Sequence, residues 1–169
     1  MSTSDNDTYL GDAGANNDIA DFDGGDDLFI GYGGNDSFVG GGGDDYIIGG
    51  AGNDRLTGGA GDDVLRAGTG NDYLGGGTGN DLLLGLLGDN KLNGGVGEDI
   101  LVAGSGDNVL VGGSDSDKFV FTDKFGGHGE AKVVDFTIGE DSLHIISDTV
   151  TEFWRFNFQL RCGWQCSIY

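Results

Sequence analysis

Apolar residues recur at a fixed spacing of nine residues along most of the chain. Twelve such units follow one another without a gap over 13–120, which is 12 × 9 = 108 residues. The eighth position of each unit is apolar, and its two neighbours point to the opposite face of an extended backbone. We therefore predict that each unit ends in a very short strand with one inward side chain. The inward residues are Ala20, Phe29, Phe38, Ile47, Leu56, Leu65, Leu74, Leu83, Leu92, Leu101, Leu110 and Phe119.

Glycine fills the first half of most units, as in the stretch GGAGND at 49–54. The fourth position is glycine except in two units, which have Asn16 and Asp115 there. Glycine adopts positive φ angles and allows close backbone approach, so these stretches are predicted to be turns. One turn and one strand cannot bury anything alone, so the units must stack. Two units of nine residues would form one 18-residue coil, with odd-numbered units in one parallel sheet and even-numbered units in another.

The sixth position of each unit carries an acidic or amide side chain. The whole chain contains 29 acidic and 8 basic residues, 37 glycines and no proline, and its net charge is −21. Glycine loses much backbone entropy on folding and like charges repel one another, so this composition opposes folding without a counter-ion. It also disfavours nucleic acid as a partner, because phosphates need Lys and Arg. The sixth-position residues are Asp18, Asp27, Asp36, Asp45, Asp54, Asp63, Asp72, Asp81, Asn90, Asp99, Asn108 and Asp117.

The ligand chemistry of the repeat favours calcium. Carboxylates and turn carbonyls are hard oxygen ligands, and calcium takes about 6–8 oxygens in a flexible geometry. Magnesium fits less well, because it prefers a near-octahedral shell and keeps its waters. Zinc and copper prefer His or Cys, which the repeat lacks.

The stretches GGAGNDRLT and GGAGDDVLR are two successive units. They resemble the RTX (repeats-in-toxin) family of calcium-binding nonapeptide repeats, also called haemolysin-type repeats, and the resemblance extends over 13–120. It implies an all-β fold, a parallel β-roll that is a right-handed β-solenoid with 18 residues per coil, two short parallel sheets and a C-terminal cap. It also implies that each calcium ion lies between one turn and the turn two units later, ligated by turn carbonyls and sixth-position carboxylates.

Applied to this chain, the resemblance implies five sites in which both carboxylates come from even-numbered units and three in which both come from odd-numbered units. The two remaining sites include Asn90 and Asn108, which offer an oxygen without charge, and they are expected to be weaker. We therefore expect about eight good sites and up to about ten calcium ions. Ten divalent ions would nearly balance the net charge of −21.

The end of the repeat suggests four regions. We expect an N-terminal lead-in at 1–12, the twelve repeats at 13–120, a capping segment at 121–148 and an aromatic tail at 149–169. The cap assignment follows from the stretches VVDF and GEDSLHI, which resemble the segment that ends many RTX blocks. The tail also contains Cys162 and Cys166, and its role is open between a cover for the roll, part of a secretion signal and a sequence accident.

Outward positions differ between the two predicted sheets. Ten of the twelve outward residues of even-numbered units are apolar or tyrosine, against five in odd-numbered units. An apolar face of this size marks an interface. We expect a partner copy in a homodimer, or the C-terminal segment of the same chain, to cover it. The central residues of this face are Leu28, Ile30, Tyr46, Ile48, Leu82, Leu84, Ile100 and Val102.

Catalysis is not indicated by the sequence. His128 and His144 are isolated, and the metalloprotease and serine-hydrolase motifs are absent. The first residues do not have the pattern of a signal peptide, and no apolar stretch is long enough to span a membrane. The resemblance implies a type I exporter as a partner and an extracellular, secreted location. The expected function is a module that folds on binding calcium outside the cell. The alternatives are the C-terminal module of a secreted protease, lipase, epimerase or toxin, and an adhesin that self-associates through its apolar face.

Overall fold

The structure is a computed structural model that describes residues 5–12, 14, 17–122 and 129–146. This part of the chain is all-β and contains no helix, and therefore no helix long and apolar enough to cross a membrane. Fifteen strands follow one another. They are Thr8–Leu10 (β1), Ile19–Asp21 (β2), Leu28–Gly33 (β3), Ser37–Gly42 (β4), Tyr46–Ala51 (β5), Arg55–Ala60 (β6), Val64–Thr69 (β7), Tyr73–Thr78 (β8), Leu82–Leu87 (β9), Lys91–Val96 (β10), Ile100–Ala103 (β11), Asn108–Ser114 (β12), Lys118–Thr122 (β13), Ala131–Val133 (β14) and Ser142–Ile146 (β15).

Successive strands alternate between two parallel sheets. The first sheet has the order β1-β3-β5-β7-β9-β11-β13-β15 and contains the even-numbered units. The second has the order β14-β12-β10-β8-β6-β4-β2 and contains the odd-numbered units. Within the repeat, paired strand residues are 18 positions apart, as Ile47 and Leu65 are in one sheet and Leu56 and Leu74 in the other. This register confirms the all-β solenoid with two units per coil.

The strands are longer than the three residues expected from the apolar pattern. Most have six residues, because pairing continues past the first-position glycine to the third position of the next unit. Gly59, for example, pairs with Gly77 although both have positive φ angles. Glycine therefore serves both as the bend and as a member of the sheet, a combination that residues with side chains rarely achieve.

The core is a single line of side chains between the two sheets. From Phe29 to Phe119, every eighth-position side chain is at most 1% exposed. Aromatic rings occupy the N-terminal end of this line, where the ring centroids of Phe29 and Phe38 lie 5.3 Å apart. At the other end Phe119 lies 6.0 Å from Phe136. Leucines fill most of the middle, and aromatic rings thus close the leucine core at both ends.

Both sheets continue beyond the twelve units. Strand β1 pairs with β3 at a spacing of 20 residues, as Thr8 does with Leu28. At the other end β14 pairs with β12 and β15 pairs with β13, so each sheet gains one strand there. The described residues of the lead-in and of the expected cap therefore extend the roll. The tail at 149–169, with Cys162 and Cys166, lies outside the described residues, and so does His128.

The outer face of the first sheet is largely apolar. Its register places Leu82 beside Ile100 and Leu84 beside Val102, so apolar side chains adjoin from strand to strand. Tyr46 is 42% exposed. The outer face of the second sheet is more polar. There the Arg55 guanidinium lies 4.5 Å from the centroid of the Tyr73 ring. The described coils therefore have one apolar and one mixed outer face.

We expect the substitution Asp115→Gly to stabilise the calcium-loaded protein. Asp115 stands where most units have glycine, and its φ angle is 78°. It is also exposed, so its removal loses little packing. Relief of this backbone conformation should raise the free energy of unfolding by about 1 kcal/mol, measured by urea denaturation in saturating calcium. Asp115→Asn removes the same charge but lacks the freedom of glycine to adopt a positive φ angle. An equal rise in the free energy of unfolding of that control would contradict the backbone explanation.

Candidate metal-binding turns

The sixth-position residues lie at the ends of turns, directly before strands, except Asn108, which is the first residue of β12. They form two rows, one for each sheet. The first turn row precedes strands of the first sheet and consists of Asp27, Asp45, Asp63, Asp81, Asp99 and Asp117. The second turn row precedes strands of the second sheet and consists of Asp18, Asp36, Asp54, Asp72, Asn90 and Asn108. All twelve side chains are buried, which is rare for carboxylates.

From Asp27 to Asp117, one oxygen of each sixth-position side chain accepts a backbone amide of the preceding coil. The Asp45 amide donates to Asp63 Oδ1 at 2.8 Å, and the Asp63 amide donates to Asp81 Oδ1 at 2.8 Å. The second row repeats the pattern, with the Asp54 amide donating to Asp72 Oδ1 at 2.7 Å. Each sixth-position residue therefore lies beside its equivalent 18 residues away.

The fifth-position residues form a second ladder in the opposite direction. Here the amide donates to the side chain of the previous coil, as Asp62 does to Asp44 Oδ1 at 2.8 Å and Asn80 to Asp62 Oδ1 at 2.7 Å. These side chains are exposed. Sequence reasoning did not find this ladder, although Asn or Asp at the fifth position of ten of the twelve units was a signal. The two ladders tie each turn to the coils on both sides.

The second oxygen of the buried carboxylates has no hydrogen-bond donor. This holds for the Oδ2 atoms of Asp27, Asp36, Asp45, Asp54, Asp63, Asp72, Asp81 and Asp99. A methyl group added to Gly94 would collide with the Asp99 carboxylate and would lie 2.7 Å from the Gly112 carbonyl oxygen. The carboxylate oxygen and a carbonyl of the next coil thus converge on one point with no proton between them. A buried charge in such a place needs a cation.

Burial changes the acidity of these carboxyl groups. It raises the pKa of Asp63 and Asp99 to about 7 and that of Asp45, Asp54 and Asp117 to about 6. The backbone amide that donates to each carboxylate lowers its pKa, and neighbouring carboxylates raise it again. Without a cation, ionisation of these groups is therefore costly at neutral pH.

The donor set fits calcium and does not resemble a transition-metal site. In the described part of the chain, no three His, Cys, Asp or Glu residues come together in a way that could hold a metal ion. A site between two turns would therefore combine a pair of carboxylates with backbone carbonyl oxygens. An all-oxygen shell with carbonyl ligands matches calcium.

The two asparagines behave differently from the aspartates. The Asn90 Nδ2 atom donates to the carbonyls of Gly85 and Gly88 at 3.0 and 3.1 Å. The Asn108 Nδ2 atom donates to the Gly106 carbonyl at 3.0 Å. Their side chains occupy the same place in the turn as the aspartate side chains. They present an Nδ2 donor to the turn carbonyls, where the aspartates have the Oδ2 atom.

The structure also adds two carboxylates to the first turn row. The Asp7 amide donates to Asp27 Oδ1 at 2.7 Å, and the Asp117 amide donates to Asp141 Oδ1 at 3.0 Å. Asp7 and Asp141 thus stand in the sixth position of the first and last coils that the structure describes. In the stretches NDTYLG at 6–11 and EDSLH at 140–144, an aspartate is followed two residues later by Tyr9 or Leu143, as in the sixth and eighth positions of the repeat. Extra residues displace both stretches from the nine-residue frame.

Stacked turns with buried, unpartnered carboxylate oxygens define a metal-binding repeat protein with a β-roll fold. A family model described as RTX calcium-binding nonapeptide repeat (4 copies) matches residues 23–56, 48–83 and 84–119. These matches extend over more than half of the sequence, and the chain belongs to the family of RTX calcium-binding repeats. No curated protein matches the sequence at a significant level.

Proposed function

We propose that this chain is a calcium-triggered folding module, and that its ions lie between sixth-position carboxylates of successive coils. RTX repeats bind calcium. The observation that carries the proposal is the series of buried Oδ2 atoms without donors. Each one destabilises the metal-free fold, so a cation between coils contributes its binding energy to folding.

Ions bound between coils would join the ladder of turns along the roll. In the first turn row the pairs run from Asp27 through Asp117, and the amide of each residue already donates to the next carboxylate. In the second row the acidic pairs end at Asp72. An ion shared by two coils stabilises both of them, so folding should be cooperative along the row.

We further propose that the chain is exported unfolded and folds outside the cell. Extracellular calcium modules bind at about 10⁻⁴–10⁻³ M, far above calcium levels inside cells. The absence of proline supports rapid folding after export, since no slow prolyl isomerisation delays it. Membership in a family of generally secreted proteins supports the extracellular location and a type I exporter.

The proposed module is structural rather than catalytic. Of the two histidines, His144 lies exposed on β15, and its strand neighbour Val120 is apolar. The alternative that the chain is the C-terminal module of a secreted enzyme or toxin gives these coils the same role, which is to stabilise the protein once it meets calcium.

A calcium titration tests the proposal. The purified full chain, followed by far-UV circular dichroism, is expected to change cooperatively from coil to β-structure between about 10 µM and a few millimolar calcium. Magnesium at the same concentrations should not produce the change, because it resists losing its waters. A chain that is fully folded in chelator and unresponsive to calcium would contradict the proposal.

The same samples test the apolar face of the first sheet. We propose that this face is covered, either by a second copy or by the C-terminal tail. Size-exclusion chromatography with mass measurement after folding distinguishes the two, since a doubled mass indicates the second copy. A full chain that is monomeric, and that stays monomeric and folds at the same calcium midpoint when residues 149–169 are removed, would contradict both.

A further inference from the structure

The two turn rows differ in chemistry along the molecule. The first row is acidic from Asp7 to Asp141. The second row is acidic only as far as Asp72 and continues with Asn90 and Asn108. In the last coil the register places Ala131 beside Asn108, so the acidic series does not resume. The C-terminal turns of the second row therefore contain no sixth-position carboxylate.

Hydrogen bonds determine the orientation of the Asn90 amide. Its Oδ1 atom accepts the Asp72 amide at 2.9 Å, and its Nδ2 atom donates to the carbonyls of Gly85 and Gly88. The opposite orientation would place oxygen against two carbonyls and NH₂ against an N–H group. Both functional groups of this fully buried side chain are thus satisfied in one way only.

Asn108 repeats this arrangement. Its Oδ1 atom accepts the Asn90 amide at 3.0 Å. Its Nδ2 atom donates to the Gly106 carbonyl at 3.0 Å and makes longer contacts with Ser105 and Gly104 at 3.4 and 3.5 Å. The amide nitrogen therefore binds the carbonyls of its own turn.

The amide nitrogen occupies the place that an unpartnered oxygen holds in the acidic turns. A methyl group added to Gly85 would lie 3.2 Å from Asn90 Nδ2. The equivalent group on Gly76 or Gly94 would meet the Oδ2 atom of Asp81 or Asp99. The carbonyls around this point need a positive partner. In the acidic turns it must come from solution, and in the Asn90 and Asn108 turns the side chain supplies it.

We propose that Asn90 and Asn108 are built-in replacements for calcium, which hold the C-terminal turns of the second row closed without an ion. The second row then binds calcium only as far as Asp72, while the first row binds it along its whole length. This inference rests on the proposed function, because it assumes that the acidic turns bind calcium. It reverses the sequence-based expectation that the two asparagines are weak ligands.

A consequence is that the two ends of the roll depend differently on calcium. Around β4, β6 and β8 both rows of turns need ions. Around β10, β12 and β14 only the first row needs them, since amide hydrogen bonds close the other side. The C-terminal coils should therefore form at lower calcium than the N-terminal coils.

The test introduces carboxylates at both asparagines. In the full chain, Asn90→Asp with Asn108→Asp should raise the number of bound calcium ions by about two, counted by native mass spectrometry. It should also shift the calcium midpoint of folding upward, because two more turns then need ions. Asn71→Asp with Asn80→Asp is the matched control: it adds two negative charges at exposed fifth positions whose side-chain oxygens accept the Asp89 and Glu98 amides. It should leave the ion count unchanged.

A second variant keeps the test decisive if the double variant does not fold. Asn90→Ala removes the amide donors and should raise the calcium midpoint without lowering the ion count. A lower ion count in Asn90→Ala, or an unchanged count in a folded double variant, would overturn the inference. A wild-type chain that binds no calcium would instead overturn the proposed function, so the two failures are distinguishable.

Discussion

Replacement of Asp63 by alanine is expected to prevent folding at calcium concentrations that fold the wild-type chain. The Asp63 side chain is 1% exposed, and its Oδ1 atom accepts the Asp45 amide at 2.8 Å. Its carboxylate belongs to two proposed ion sites, one with Asp45 and one with Asp81. Alanine leaves a buried N–H group without an acceptor, which costs about 1–3 kcal/mol. It also removes charge from both sites, so we expect a total loss of at least about 3 kcal/mol.

This loss is measured as a shift of the calcium midpoint in circular dichroism. The neighbouring Asp62 provides the control, because Asp62→Ala removes the same charge from an exposed residue that also accepts one backbone amide. Asp62→Ala should cost about 1 kcal/mol or less. Equal shifts in the two variants would mean that net charge, rather than the buried site, governs folding.

Acidification of the calcium-free chain is expected to produce β-structure. The pKa of Asp63 and Asp99 is about 7 in the folded chain, against an ordinary value near 3.8. Between these values the folded state binds more protons than the unfolded state. The resulting stabilisation is fully present below about pH 4 and is lost as the pH rises through about 6–7. A proton on the buried carboxyl group thus partly substitutes for calcium.

The measurement is a pH titration in calcium-depleted buffer, followed by circular dichroism. We expect a midpoint near pH 6, because the pKa values of the buried carboxyl groups are about 6 to about 7. A transition governed by exposed carboxylates would instead lie near pH 4. Asp63→Asn removes one raised carboxyl group while retaining an oxygen that can accept the Asp45 amide, so its pH dependence should be weaker. A midpoint near pH 4, or an equal pH dependence in Asp63→Asn, would show that general charge repulsion controls the transition.

The linear sequence was sufficient to predict the nine-residue repeat and the 18-residue coil that it forms. Residues such as Asp63 and Leu65 recur in phase, and stacking places each on the residue 18 positions later. A periodic chain has few ways to bury one apolar residue per unit, so local pattern and global fold agree. The sheets, the inward residues and the positions of the buried carboxylates followed from this spacing alone.

Only the tertiary structure decided how the two oxygens of each carboxylate are used. The spacing placed Asp63 beside Asp45 but could not show that Oδ1 accepts an amide while Oδ2 has no donor. Nor could it distinguish Asn90 as a weak ligand from Asn90 as a donor to its own turn. These differences depend on contacts between coils and on the direction of each hydrogen bond, which residue identity does not specify.

The tertiary structure was also needed to identify the residues that extend the roll beyond the twelve units. Asp7 and Asp141 join the first turn row at spacings of 20 and 24 residues, outside the period of 18. Extra residues in a loop shift the sequence frame, but they do not prevent a strand from pairing with the open edge of a sheet. The sequence alone therefore determined the regular middle of this protein, while backbone pairing at the sheet edges decided how the described strands outside the twelve units join the roll.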